Sequence, residues 1–157
     1  MTRKFLLVVV LLLAGCTGFN QMQAEYIEQT GDSAMSGTGD ADVVFVRAVN
    51  TGAETWTFHV SVEHPDTGWE DYADGWDVVL PDGTPILPNS ADGFTRLLLH
   101  PHENEQPFTR SQSNIIIPSD ITTVTVRAHD IVDGWGGQEI TVNLEQAEGD
   151  NYTVETN

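Results

Sequence analysis

The feature that most constrains the fold is a regular alternation of apolar and polar residues. In Glu54–His64 the large apolar side chains stand at every second position, and Ile121–Asp130 repeats the pattern. Side chains two residues apart lie on the same face of a β-strand. One apolar and one polar face are typical of an antiparallel sheet that has one side in water.

Other short apolar segments are separated by turn residues, and no helical period of useful length occurs. They are Val43–Ala48, Trp76–Leu80, Phe94–His100, Ile115–Ile117 and Glu139–Leu144, and Thr84–Leu87 can pair with Trp76–Leu80. With the two alternating segments they make about seven strands in roughly 100 residues, the density typical of a β-sandwich. The sequence therefore predicts an all-β fold, an antiparallel β-sandwich of about seven strands spanning residues 42–145.

The first 15 residues predict export. Arg3 and Lys4 precede an unbroken apolar run, Phe5–Leu13. As a helix this run would rise only about 14 Å, too short for the ~30 Å hydrocarbon core of a membrane. A charged start, a short apolar run and small residues after it are typical of a cleaved signal peptide, here residues 1–15.

The end of this run, Leu13-Ala14-Gly15-Cys16, resembles the lipobox of bacterial and archaeal lipoproteins. The resemblance implies cleavage before Cys16, lipid such as palmitate on the new terminus, and a protein anchored in the cell membrane or outer membrane. The lipid would make the membrane a partner, with the domain facing the periplasm or the exterior. The alternative is an ordinary secretory signal followed by a coincidental cysteine.

Two segments outside the sandwich lack its alternation. Residues 16–41 contain the predicted lipidated cysteine and few large apolar residues, so we expect a flexible acidic tether. Residues 146–157 are predicted to be an acidic C-terminal tail, in which Tyr152–Val154 can add an edge strand.

Charge excludes one class of partner. The chain has 24 Asp and Glu residues against 6 Lys and Arg, a formal charge of −18. Nucleic acid and the face of an anionic membrane would repel it. The composition is acidic and poor in lysine, and in this it resembles halophilic proteins.

The strand Val124–Asp130, a glycine-rich turn and Ile140–Val142 resemble the closing hairpin of immunoglobulin-like and fibronectin type III-like domains. This resemblance implies an immunoglobulin-like sandwich. The single cysteine departs from antibody-type domains, which carry a cysteine pair.

Four motifs carry a wider resemblance. They are GW-x-x-YAD-x-W (68–76), HPH (100–102), EQPFTRS (105–111) and GWGG (134–137). Together they resemble a family of uncharacterised exported lipoproteins of bacteria and archaea, and the resemblance implies no particular activity.

Histidines provide one candidate site, for a metal ion. His100 and His102 flank Pro101, and in an extended backbone both rings face the same side. His64, His129 and Glu105 are candidates to complete the ligands, and imidazole with carboxylate favours zinc or copper. The alternative is that these histidines cap strand ends, in which case the protein has no cofactor.

The segment Asp66–Asp77 holds five carboxylates in twelve residues, an oxygen-rich loop that could bind calcium. The spacing does not match an EF-hand, and in so acidic a chain a solvated loop is the alternative.

Tryptophans provide another candidate site, for a protein or carbohydrate. Trp69 and Trp135 each follow a glycine in a predicted loop. An exposed tryptophan offers a large rigid apolar face for either ligand. The alternative is packing in the core, as expected for Trp56 and Trp76.

Sequence signatures of enzymes, such as a nucleophile elbow, a phosphate loop or a zinc-protease helix, do not occur. We therefore expect no enzyme, but a lipid-anchored extracytoplasmic β-sandwich that acts as a binding or interaction module. The alternative function is metal binding in the His100-Pro101-His102 region.

Overall fold

The computed structural model describes residues 39–156, which form nine β-strands and no helix. The strands are β1 (Asp42–Asn50), β2 (Thr55–Glu63), β3 (Ala73–Val79), β4 (Arg96–Leu97), β5 (Phe108–Ile116), β6 (Thr123–Asp130), β7 (Ile140–Asn143), β8 (Glu148–Gly149) and β9 (Tyr152–Thr156). The predicted signal peptide, Cys16 and the tether as far as residue 38 lie outside the described residues. No helix long and apolar enough to cross a membrane occurs within residues 39–156.

The strands form two sheets. One has the order β5-β2-β1-β9-β8 and the other β4-β3-β6-β7. This arrangement confirms the predicted all-β sandwich. It differs from the prediction in two respects: there are nine strands rather than about seven, and β9 pairs with β1 in parallel. The immunoglobulin-like topology stays a prediction.

The core lies between the sheets, and the alternation seen in the sequence builds it. Every second residue of β2 is buried, from Trp56 to Val62, and β6 buries Val124, Val126 and Ala128. Since these strands belong to different sheets, their apolar faces meet across the sandwich. Each fully buried side chain of this size stabilises the fold by about 1.5–3 kcal/mol.

Strand β5 is longer than the sequence predicted. The sequence predicts a strand here only at Ile115–Ile117. The structure instead pairs Phe108 with Val62 of β2 and continues to Ile116. The strand lies at the edge of its sheet and most of its residues face solvent, so it lacks the apolar alternation that marks β2.

Strand β4 is shorter than the predicted Phe94–His100. Side chains replace backbone partners here: the hydroxyl of Thr95 accepts the N–H of Val78, and Asp77 accepts the N–H of Thr95, both at 2.8 Å. These bonds satisfy buried donors without extending the ladder. A regular strand therefore forms only at Arg96–Leu97.

The predicted C-terminal tail contributes two strands. Tyr152 is buried, and β9 lies between β1 and β8 rather than at an edge. Pairing with β1 satisfies the backbone hydrogen bonds of this acidic segment, while the charges of Glu148 and Glu155 stay at the surface.

Replacement of Phe58 by Ala tests the position of the core. Phe58 is fully buried, so Phe58→Ala is expected to lower the free energy of unfolding by about 3–5 kcal/mol. Phe45→Ala is the matched control, because Phe45 is exposed on β1. This replacement is expected to lower the free energy of unfolding by about 0.5 kcal/mol. Urea unfolding measures both, and equal losses would contradict the described core.

Candidate functional site

In β2 and β6, the two most regular strands, the series of buried positions leads to a titratable residue that faces inward. Continuing the buried series of β2 by two residues gives His64, and the last buried residue of β6 is Asp130. His64 is 1% exposed and Asp130 is 0% exposed. Because β2 and β6 lie in facing sheets, these side chains approach each other at one end of the core.

Two further carboxylates come from the connection between β2 and β3. Asp66 is buried, whereas Asp71 is partly open to solvent. We call His64, Asp66, Asp71 and Asp130 the His64 cluster.

The carboxylate of Asp66 organises this cluster. One oxygen accepts a hydrogen bond from Nδ1 of His64 at 2.7 Å and another from the N–H of Ala73 at 3.1 Å. The other oxygen accepts the backbone N–H of His102. Burial alone would raise the pKa of Asp66, but these three hydrogen bonds outweigh it and lower the pKa.

The imidazole of His64 is held in a negative environment. Burial disfavours its charged form, but the hydrogen bond to Asp66 and the charges of Asp66, Asp130 and Asp71 outweigh burial. The pKa of His64 is therefore raised. Its Nε2 lies 3.7 Å from Oδ1 of Asp71 and has no hydrogen-bond partner among the described residues.

Asp130 uses one carboxylate oxygen and leaves the other without a partner. Oδ1 accepts the N–H groups of Val132 at 2.8 Å and Asp133 at 2.6 Å, which fixes the turn after β6. Oδ2 is buried and has no hydrogen-bond partner within residues 39–156. One ligand atom each from His64, Asp71 and Asp130 lies within 4.8 Å of the others. Asp130 also approaches Asp40 and Asp133 within the same limit.

The predicted pair of histidines adopts a different environment. The ring centroids of His100 and His102 lie 4.5 Å apart. The buried ring of His102 stacks on the ring of Phe108, with 3.7 Å between the two centroids. Both ring nitrogens of His102 lack a hydrogen-bond partner in the described chain. Arg96 and Arg110 line the cavity beside these rings, and their positive charges disfavour a cation there.

The five predicted metal ligands do not gather into one group. His129 hydrogen-bonds Asp74 at 2.6 Å, and Glu105 pairs with Arg110 at 3.3 Å. Asp66 lies between His64 and His102: its Oδ1 is 2.7 Å from Nδ1 of His64 and its Oδ2 is 3.9 Å from Nδ1 of His102. Metal binding by this set stays a prediction.

The two candidate tryptophans differ in exposure. Trp69 is 65% exposed and contacts the ring of Tyr72 edge-on, with centroids 5.9 Å apart. Trp135 is 39% exposed, and the guanidinium of Arg127 lies 4.0 Å from its ring centroid. Trp69 is therefore the more accessible of the two.

The sequence indicated His64 and the Asp66–Asp77 segment as separate candidates, but it did not join Asp71 and Asp130 to His64. For His64 and Asp130, the alternation of the strands indicates an inward position. Side chains two residues apart in a strand lie on the same face. Since Val62 faces the core, His64 is expected to face it as well, and Asp130 is likewise expected to be buried because Ala128 is. The position of Asp71, in an irregular connection, had no such signal.

Comparison with known proteins gives one informative similarity. The chain is 38% identical over 106 residues to a protein of Halomicrobium mukohataei named "Putative lipoprotein", an alignment covering 68% of this chain and 48% of the relative. The chain thus spans about half the length of the curated relative it matches. No protein-family model and no solved structure matches the chain. The similarity supports the resemblance to exported lipoproteins.

The pH dependence of stability tests the buried state of His102. Burial, together with the charges of Arg110 and His100, lowers the pKa of His102, and the opposing charges of Asp66 and Glu105 do not compensate. Below pH ~6.5 the unfolded chain then binds more protons at this residue than the folded chain does. The free energy of unfolding therefore falls as the pH is lowered through this range.

We therefore expect wild type to lose stability relative to His102→Leu as pH is lowered from about 7 to 5. Urea unfolding of both metal-free proteins at several pH values measures the difference. Parallel curves for the two proteins would contradict a lowered pKa.

Proposed function

We propose that this chain is an exported lipoprotein that carries lipid on Cys16 and holds a binding domain outside the cytoplasm. The signal-like segment ending in Leu13-Ala14-Gly15-Cys16 and the similarity to a protein named as a lipoprotein support the anchor. The role proposed for the sandwich is binding without catalysis.

The observation that carries the binding role is an exposed apolar surface on two neighbouring loops. Trp69 lies in the connection between β2 and β3, and Ile131 and Val132 follow β6. Their exposures are 65%, 49% and 60%. The loops are joined, because the N–H of Ile131 donates to the carbonyl of Tyr72 at 3.2 Å. We call Trp69, Tyr72, Ile131 and Val132 the loop surface.

Large apolar side chains grouped at a surface favour a protein interaction site. A sugar is usually stacked on a flat ring, whereas the aliphatic Ile131 and Val132 extend this surface in the manner of a protein contact. The strongly acidic chain favours a partner with basic residues around its own contact patch. The ligand class proposed is therefore a protein rather than a carbohydrate.

Replacement of Cys16 tests the anchor. Cys16→Ser should move the protein from the membrane fraction to the soluble fraction, because the thiol that carries the lipid is lost. Thr17→Ser is the matched control and should leave the protein in the membrane fraction. Fractionation followed by immunoblotting, with mass spectrometry of the N-terminal peptide, measures the effect. Membrane retention of Cys16→Ser would contradict lipid anchoring.

Replacement of Trp69 tests the loop surface. Cross-linking on intact cells should capture a specific partner, and Trp69→Ala and Ile131→Ser should each reduce its recovery at least about tenfold, as expected for central contact residues. Leu99→Ala is the control, because Leu99 is equally exposed outside the loop surface. If Trp69→Ala and Ile131→Ser recover as much of the partner as Leu99→Ala does, the proposed surface is contradicted.

A further inference from the structure

We propose that His64, Asp71 and Asp130 bind one divalent transition-metal ion, of which zinc is the representative. The site differs from the one predicted around His100 and His102. It depends neither on lipid at Cys16 nor on a partner at the loop surface.

Two buried atoms without partners indicate the site. Nε2 of His64 and Oδ2 of Asp130 are buried and lack hydrogen-bond partners among residues 39–156. A buried polar atom without a partner costs free energy, and such atoms in a folded protein usually have an ion, a water or a protein group beside them. The same two residues and Asp71 each place one ligand atom within 4.8 Å of the others, and Nε2 of His64 lies 3.7 Å from Oδ1 of Asp71.

Hydrogen bonds prepare both residues as ligands. Asp66 accepts from Nδ1 of His64, which places the proton on Nδ1 and leaves the lone pair of Nε2 directed at the site. A carboxylate behind a ligating histidine is the usual arrangement in zinc proteins. Asp130 is fixed in the same sense, since two backbone N–H groups hold Oδ1 while Oδ2 stays available. Asp66 is thus a positioning residue.

The distances suit an ion. Zinc bonds to nitrogen and oxygen are about 2.1 Å long, so two ligand atoms on one ion lie at most about 4.2 Å apart. Nε2 of His64 and Oδ1 of Asp71 are 3.7 Å apart, and all three ligand atoms lie within 4.8 Å of one another. Small side-chain rotations, most easily of the partly exposed Asp71, would bring the three ligand atoms within bonding distance of one ion. Its exposure also provides an entry path for the ion.

The donor set selects the class of ion. One imidazole nitrogen with two carboxylates suits zinc and its neighbours, whereas calcium prefers oxygen ligands alone. Two carboxylates balance the charge of a divalent ion. Three protein ligands leave a fourth position for water or for a group from another molecule.

The test measures zinc binding to the full chain, purified in detergent and freed of metal with a chelator. Molar sodium chloride screens the many exposed carboxylates, so weak non-specific binding is suppressed. Isothermal titration calorimetry with zinc and with calcium gives stoichiometry and affinity, and thermal unfolding gives an independent readout. We expect one zinc ion per chain, weaker calcium binding and a rise of several degrees in Tm at saturating zinc.

Four variants locate the ion. Asp71→Asn and Asp130→Asn preserve size and should each weaken zinc binding at least about tenfold and reduce the rise in Tm. Glu70→Gln removes the same charge from the neighbouring residue and should bind as wild type, as should His100→Ala. Because Asp71 is partly exposed, Asp71→Asn keeps the test decisive even if Asp130→Asn fails to fold.

The proposal is overturned if wild type binds no zinc saturably, or if Asp71→Asn binds zinc as wild type does. Loss of binding in His100→Ala with retention in Asp71→Asn would place the ion at the predicted histidine pair instead. Calcium binding as tight as zinc binding would overturn the assignment to a transition metal.

Discussion

The buried carboxylate of Asp66 is the interaction on which this end of the structure depends. It lies on the connection that leaves β2 in one sheet and enters β3 in the other. Its oxygens bind the ring of His64, the first backbone N–H of β3 and the backbone of His102. A buried charge is tolerated only when it is well hydrogen-bonded, so these contacts stabilise the crossing between the sheets.

The same contacts that stabilise the fold also create the candidate site. Because Nδ1 of His64 is bonded to Asp66, its Nε2 remains available 3.7 Å from Asp71, and because Oδ1 of Asp130 is held by the backbone, its Oδ2 remains buried without a partner among residues 39–156. The loops that contribute Asp71 and follow Asp130 also carry Trp69, Ile131 and Val132. An ion bound at the His64 cluster would therefore lie where the two loops of the loop surface are anchored.

The sequence predicted those parts of the fold in which burial and alternation coincide. Strands β2 and β6 were predicted closely because one face of each is buried. The edge strand β5 was largely missed, since its two sides are mostly solvated and its sequence is polar. The parallel pairing of β9 with β1 joins segments about 100 residues apart, and no local pattern specifies such a contact.

For the candidate site, the sequence favours His100 and His102 because they are close together in the chain. The structure instead brings together His64 and Asp130, which come from facing sheets and are distant in sequence. Their inward positions followed from strand alternation, but their meeting depended on the topology. The position of Asp71 depended on the irregular backbone of residues 67–72, which the sequence does not specify.

Anomalous X-ray diffraction at the zinc edge, from crystals of the protein grown with zinc, tests directly whether the His64 cluster holds an ion. We expect one strong peak within bonding distance of Nε2 of His64 and of carboxylate oxygens of Asp71 and Asp130, with Nδ1 of His64 still bonded to Asp66. A map with no peak at these three residues, or with its strongest peak between His100 and His102, would contradict a metal site at the His64 cluster.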